Sequence, residues 1–392
     1  MHSYKYLVVG GGMTADAAIR GIREVDPQGS IGLISREPHL PYKRPLLSKG
    51  LWFGKSFDRI WYDTETLGIS ALLGRTAVSL DLAGKSVADD EGTLYGFDKL
   101  LLATGGQPRR FPFGGDDILY FRTVDDYLRL RALTETRRKF AVIGGGFIGS
   151  EIAAALASIG KEVVMLFPEE GIGARVFPGN LCRFLNGYYR DRGVELLIGR
   201  TVTGLVREGD EIRLALGETG EKAIVVDGVV AGIGIEPETR LAEAAGLPVD
   251  KGIVVDELLQ AGYADVYAAG DAVSFYSPSL GRRMHVEHED NARTMGRLAG
   301  RNMAGEANPY RHLPYFYSDL FDLGYEAVGE LDSRLETVED WSEPCRKGVV
   351  YYLAEGRVRG VLLWNVWDRV EAARALIEEP GPFGPGDLAG KL

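Results

Sequence analysis

Two glycine triplets, each set between an apolar run and an alanine-rich segment, are the residues whose type and spacing point most directly to chemistry. Gly10-Gly11-Gly12 follows Tyr6-Leu7-Val8-Val9 and leads into Met13-Thr14-Ala15. Gly144-Gly145-Gly146 follows Phe140-Ala141-Val142-Ile143 and leads into Phe147-Ile148-Gly149. At a strand-to-helix turn of this kind the first glycine permits the tight turn and the second lets the backbone approach a pyrophosphate. The helix N-terminus then offers free N–H groups to the phosphates. One triplet is a weak signal, because such runs recur in ordinary loops. Two in the same context predict a protein holding two dinucleotides at once, and electrons move between such neighbours. A predicted strand over 30–35 ends in Arg36-Glu37, where an acid receives the two hydroxyls of an adenosine ribose; Glu37 is the better candidate. Asp271, directly after Ala269-Gly270, is a carboxylate able to accept hydrogen bonds from a polyol.

The elements that must position these groups follow from apolar periodicity and from turn residues. The pattern predicts a strand over 4–9 and a helix over 13–24, closed near Asp26-Pro27-Gln28-Gly29. Pro38 to Lys49 is a proline-punctuated loop entering a short helix. Residues 75–102 alternate around turn signals as an antiparallel meander, then run into Ala103-Thr104-Gly105-Gly106. A second nucleotide unit spans roughly 121 to 235, with a helix over 149–159, a strand over 162–167, a valine-rich strand over 223–230 and the Gly232-Ile233-Gly234 turn. An apolar strand ending at Gly270-Asp271, a helix over 289–303, aromatic strands near 315–317, 349–352 and 361–364, and a helix over 368–379 complete the chain.

Composition bounds the function. The 392 residues suffice for two or three domains, and 45% hydrophobic with 26% charged content is that of a soluble globular protein. There is no apolar run of about 18 residues, so no membrane span is expected. The first strand begins near residue 4, which leaves no room for a targeting peptide and predicts a cytoplasmic protein. A net charge of −11 argues against nucleic acid as a partner. Cys182 and Cys345 form no CxxC pair and no cysteine precedes residue 182, so thiol-based flavin chemistry is disfavoured. No metal is expected.

The order of two glycine turns, Ala103-Thr104-Gly105 and Ala269-Gly270-Asp271 resembles the two-dinucleotide flavoproteins of the pyridine-nucleotide-dependent oxidoreductase superfamily. Within it, Leu40-Pro41-Tyr42-Lys43-Arg44-Pro45-Leu46-Leu47-Ser48-Lys49 is similar to the branch containing the ferredoxin and rubredoxin reductases and apoptosis-inducing factor. Gly281 to Asp290, Ser318-Asp319 with Gly324-Tyr325-Glu326, and Lys347 to Tyr352 running on to Leu363-Trp364-Asn365 favour the last of these.

The resemblance implies an α/β fold with two Rossmann-like, three-layer ββα dinucleotide-binding domains and a C-terminal α/β domain. FAD would take residues 1–112 and 236–312, NAD(H) residues 113–235, and the C-terminal domain residues 313–392. It also implies that Gly10, Gly12, Met13, Thr14, Ala15, Arg36, Glu37, Ala103, Thr104, Gly105 and Gly270 hold FAD, with Arg44 and Pro45 near its phosphates or ribose. Ala77 falls at the adenine, Arg122 in the flavin cleft and Asp271 at the ribityl chain. The resemblance also implies that Glu287, His288 and Glu289 lie beside the N1–C2=O edge, where a helix N-terminus stabilises the charge of reduced flavin.

The resemblance further implies that Lys49 and Glu151 form an ion pair near flavin N5, reached from two different domains. By the same resemblance Gly145, Gly146, Phe147, Ile148 and Gly234 are expected to line the path of NAD, with Phe147 placed to stack on the nicotinamide. The resemblance places Glu169, with Glu170 beside it, at the adenosine ribose, where a carboxylate repels a 2′-phosphate; NADH is therefore the expected donor, an inference weakened by Arg175, whose guanidinium is able to accommodate that phosphate. Tyr317 stands where relatives carry tryptophan, and Glu326 follows in the same domain.

The long C-terminal insertion and the basic character of apoptosis-inducing factor are missing and no mitochondrial leader is expected, so a death-signalling role is not carried over. The expected activity is an FAD-dependent NAD(P)H oxidoreductase passing electrons to an acceptor: a ferredoxin-like redox protein, a quinone or another small molecule. The rival is an NADH redox sensor with slow turnover. Homodimerisation stays open.

Overall fold

The computed structural model describes residues 2–217 and 222–392. They cluster into two compact units. The first comprises residues 1–43, 58–107 and 236–316, and the second residues 44–57, 108–235 and 317–392. The segment 44–57, which carries Lys49, therefore clusters with the chain around Glu151.

The first unit is built on a parallel sheet in which His2–Val9 lies between Ile31–Ser35 and Leu94–Leu102. Ser70–Leu73 extends one side and Val266–Ala268 the other. Tyr6 to Val9 and Leu100 to Leu102 are buried without alternation, as expected of strands covered on both faces. The expected meander is present as Ala77–Asp81 against Ser86–Asp89 and then Leu94–Leu102. The helices Met13–Val25 and Glu289–Met303 cross closely because side chains are missing at the crossing. A Cβ on Gly21 would strike the Arg297 carbonyl, one on Gly296 that of Thr14, and one on Gly300 that of Ala18.

The second unit contains a five-stranded parallel sheet in the order Val194–Ile198, Glu162–Phe167, Lys139–Ile143, Gly228–Ala231, Ile118–Tyr120. A three-stranded antiparallel sheet, Val202–Glu208, Glu211–Leu216 and Lys222–Val226, accompanies it. The single strand expected over 223–230 is thus two strands in two sheets. Asp227 makes the break: its carboxylate accepts from the backbone N–H groups of Arg138 and Lys139 at 2.9 and 2.8 Å. The helix expected from Gly149 begins two residues earlier, as Phe147–Ser158, with Gly146 as its N-cap. At the C-terminus an antiparallel sheet runs Tyr315–Leu320, Leu323–Gly329, Arg357–Trp364, Lys347–Ala354, Glu336–Glu343, and Val370–Glu378 packs on it. Leu323–Gly329 and Glu336–Glu343 were not expected from the sequence. No described helix is long and apolar enough to cross a membrane.

Candidate active site

In the first unit the glycine turn is a cradle in which added side chains would collide. Gly10 has φ +117°, and a Cβ there would overlap the Ala103 carbonyl. A Cβ on Gly11 would enter the Ser35 hydroxyl, and one on Gly270, φ +81°, would enter Thr14 Oγ1. Gly12 instead faces open space and caps Met13–Val25 with no side-chain hydrogen bond. An uncapped helix start behind an open glycine fits a phosphate-bearing group. Gly10, Thr14, Ala103 and Gly270 are therefore brought together, with Met13 and Ala15 in the same helical turn. The Thr104 hydroxyl donates to the Glu238 carbonyl at 2.6 Å, and the Gly105 carbonyl accepts from Glu238 N–H at 2.8 Å, which anchors the loop after Ala103.

Glu37 stands at the end of the second strand, and its carboxylate accepts from the buried Tyr42 hydroxyl at 2.5 Å. Arg36 is exposed beside it. Ala77 is half-buried at the start of its strand, opposite Asp89. The Asp271 carbonyl accepts from His285 Nε2 at 2.7 Å. His285 Nδ1 lies 3.7 Å from Glu287 Oε1, and Glu289 pairs with Arg293 at 3.5 Å. His288 caps the Glu289–Met303 helix and stacks on Phe316 at 4.2 Å. The residue is half-buried at the surface, yet protein surrounds its ring densely, and this burial pushes it down to about 4 against the opposing charges of Asp271 and Asp290.

The second unit repeats the cradle. Gly144, φ +118°, has no room for a Cβ before the Gly232 carbonyl, and Gly145 lies against the Phe167 ring. Gly146 is again open and uncapped. Phe147 is half-buried and Ile148 is 37% exposed at the helix start. At the end of the next strand Glu169 Oε1 takes the Arg175 guanidinium at 2.6 Å. Gly234, φ +95°, accepts from Arg109 N–H at 3.0 Å.

Glu151 is buried near the start of the second helix, and Lys49 Nζ lies 2.7 Å from its Oε1. The same ammonium stands 5.2 Å from the centre of the Tyr317 ring, a cation–π distance. Arg44 precedes Pro45 at the start of the short helix, and its guanidinium donates to the Arg122 carbonyl at 3.2 Å. Lys49, Tyr317 and Asp319 line a cleft of about 400 Å³ with Phe53, Asn365 and Trp367. Burial pushes the Asp319 carboxyl up, with Glu151 adding to the rise and Lys49 opposing it. Glu326 is not part of this group. Its neighbour Tyr325 faces Glu151, and alternation along the strand turns Glu326 to the other side, where burial and Asp368 push its carboxyl up.

Sequence reasoning passed over Ser48, Ser318, Tyr42 and Phe316 as site residues. Ser48 and Ser318 both lay inside the motifs that carried the resemblance; no spacing rule marks them as partners of Glu151, 103 and 167 positions away. Cys182 is buried, with its thiol pushed up to about 11, and Cys345 is raised by burial as well.

The Pyridine nucleotide-disulphide oxidoreductase family model matches residues 4–296, well over half the chain. The chain belongs to this family. A second model, the C-terminal region of mitochondrion-associated apoptosis-inducing factor, matches residues 299–346 and 339–379. The mitochondrial apoptosis-inducing factor 1 of Dictyostelium discoideum is 34% identical, across 96% of this chain and 79% of that one. The ferredoxin–NAD(+) reductase component of the anthranilate 1,2-dioxygenase system of Burkholderia cepacia is 32% identical, across 99% and 98%. Among solved structures, the covalent putidaredoxin reductase–putidaredoxin complex superposes with a TM-score of 0.90 at 27% identity, covering 98% of this chain and 95% of that one. This flavoprotein is an FAD-dependent NAD(P)H oxidoreductase of the Rossmann-like α/β fold.

Proposed function

We propose that the first cradle holds FAD, the second holds NADH, and electrons leave to a small iron–sulfur protein of the ferredoxin type. The buried Lys49–Glu151 pair carries this reading, since a fixed ammonium–carboxylate pair beside the second nucleotide helix suits the flavin's reacting edge. In this reading residues 1–112 and 236–312 form the FAD domain, 113–235 the NAD(H) domain and 313–392 the C-terminal domain. The protein works in the cytoplasm. Bound to the residues of the first cradle, FAD would supply hydride acceptance from reduced nicotinamide and onward electron transfer.

The chain's own residues supply position and charge. Thr14 and the backbone from Gly10 to Ala15 grip the FAD phosphates, and Glu37, steadied by Tyr42, takes the ribose hydroxyls. Arg44, Pro45, Ala77, Arg122, Asp271, Glu287 and His288 complete the FAD contacts. Gly145, Gly146, Phe147, Ile148 and Gly234 receive the nicotinamide nucleotide. NADH is preferred because Glu169 repels a 2′-phosphate while holding the Arg175 guanidinium that would otherwise welcome one.

Anaerobic stopped-flow reduction of the holoprotein by NADH tests the reading, followed by mixing with ferredoxin, quinone or air. Fast bleaching and fast reoxidation by ferredoxin are expected; no bleaching by either NADH or NADPH would overturn the dinucleotide assignment. A second reading, an NADH-responsive sensor, is favoured by the match of the C-terminal residues to the apoptosis-inducing factor region. It predicts fast bleaching with slow reoxidation by every acceptor.

A further inference from the structure

The Glu151 carboxylate receives more hydrogen bonds than its ion pair alone requires. Ser48 Oγ donates to Oε2 at 2.5 Å, Ser318 Oγ donates to Oε1 at 2.5 Å, and Lys49 takes Oε1 at 2.7 Å. Glu151, Ser48 and Ser318 are 3%, 4% and 1% exposed, so water does not substitute for these donors. The donors come from separate chain segments, Ser48 from Pro45–Ser48 and Ser318 from Tyr315–Leu320, while the acceptor stands on Phe147–Ser158.

The arrangement continues one residue further. The Tyr325 phenol hydrogen-bonds with Ser318 and is kept protonated by burial and by the Glu151 charge, which push it well above the ordinary phenol range. Its ring is stacked on Trp364 at 5.4 Å and met edge-on by Phe177 at 5.3 Å, which holds the phenol in place. The resulting chain runs from Tyr325 to Ser318 to Glu151, with Ser48 on the opposite oxygen.

A carboxylate held only by a flexible lysine can rotate and carry the ammonium with it. One hydroxyl on each oxygen defines the carboxylate plane, and a hydroxyl does so without adding charge. The Lys49 ammonium is then held between Oε1 and the face of Tyr317.

We propose that Ser48 and Ser318 are positioning residues for the reaction: together they set the plane of the Glu151 carboxylate and so the place of the Lys49 ammonium in the wall of the cleft. The proposal rests on the reading of Lys49–Glu151 as the pair that attends the flavin.

The test uses the holoprotein with Ser48→Ala, Ser318→Ala, their Thr and Cys counterparts, Lys49→Ala, and the serine changes combined with Glu151→Ala. Flavin bleaching by NADH is followed across pH, and the flavin potential is measured alongside. Each Ser→Ala change is expected to slow bleaching about tenfold, the order of one charge-assisted hydrogen bond. It is also expected to shift the pH profile and lower the potential. Thr restores the wild-type profile, and in the Glu151→Ala background the serine changes have no further effect.

Wild-type rates and profiles in both alanine variants would overturn the proposal, as would an undiminished tenfold loss in the Glu151→Ala background. If an alanine variant does not retain FAD, the Cys variants decide, because a thiol is a poor donor of similar size. Slow Cys variants beside normal Thr variants support the proposal, and normal Cys variants defeat it. Lys49→Ala at the wild-type rate removes the underlying reading and this proposal with it. A slow Lys49→Ala beside unaffected serine variants removes this proposal alone.

Discussion

Each nucleotide helix carries one buried acid near its start, and the two have opposite surroundings. Asp16 on Met13–Val25 is 4% exposed and Glu151 on Phe147–Ser158 is 3% exposed; Asp16 lies in the first helical turn, where the helix dipole favours a carboxylate, and Glu151 lies just beyond it. Asp16 is neutralised from its own helix by Arg20, whose Nε lies 2.9 Å away, and Thr64 donates to it at 2.7 Å. Its charge closes a local seam. Glu151 takes its cation and both hydroxyls from segments distant in sequence, and its cation lines an open cleft. A buried acid at a nucleotide helix is therefore not by itself a reaction group. The partner that reaches it, and what that partner faces, decide.

The sharpest way to break the comparison is to damage each cradle. Gly10→Ala and Gly144→Ala both force a Cβ into a carbonyl at positive φ, at a cost of about 3 kcal/mol or more. Gly10→Ala is expected to lose FAD, read from the absorbance of the purified protein. Gly144→Ala should keep its yellow colour and lose NADH-driven bleaching. Loss of FAD in both would show that the cradles are not separate.

Next, Glu151→Ala is expected to slow bleaching by roughly 10²-fold, the scale of losing one preorganised electrostatic contact. Asp16→Ala should leave the rate within about twofold and lower stability by about 1–3 kcal/mol in urea unfolding, less than a fully buried pair because Arg20 is partly exposed. A rate loss in Asp16→Ala would erase the distinction. Glu169→Ala, which removes the acid and frees Arg175, is expected to move the NADPH-to-NADH ratio of kcat/KM about tenfold toward NADPH.

The smallest effect concerns pH. His288 is pushed down to about 4, below the ordinary value near 6.5. The unfolded chain therefore binds a proton before the folded one does. Stability is full above pH 6.5 and declines as pH falls from 6.5 to 4, by on the order of 1 kcal/mol once partial exposure is allowed for. His288→Gln should flatten that part of the acid unfolding curve; an unchanged slope would mean that His288 does not contribute.

Local signals made much of this legible. The glycine triplets announced both cradles, since only residues without Cβ fit beside Ala103 and Gly232, and the helix over 289–303 followed from its alanine- and arginine-rich composition and coincides with Glu289–Met303. The misses have physical reasons. Residues 223–230 read as one valine-rich strand because the break depends on Asp227 meeting backbone N–H groups 89 and 88 positions earlier. Leu323–Gly329 and Glu336–Glu343 escaped because their partners in the sheet, not their composition, make them strands. Glu326 was counted with the site because its segment belonged to the motif, whereas strand alternation turns it away from Tyr325's side.

The amino-acid sequence by itself determined the two cradles and the acids at their strand ends, because backbone strain and helix-end chemistry act within a few residues. Tertiary structure alone decided which acid meets which donor. Ser48, Lys49 and Ser318 reach Glu151 across separations that no local rule spans, and a buried carboxylate keeps those donors because they replace the water it has lost.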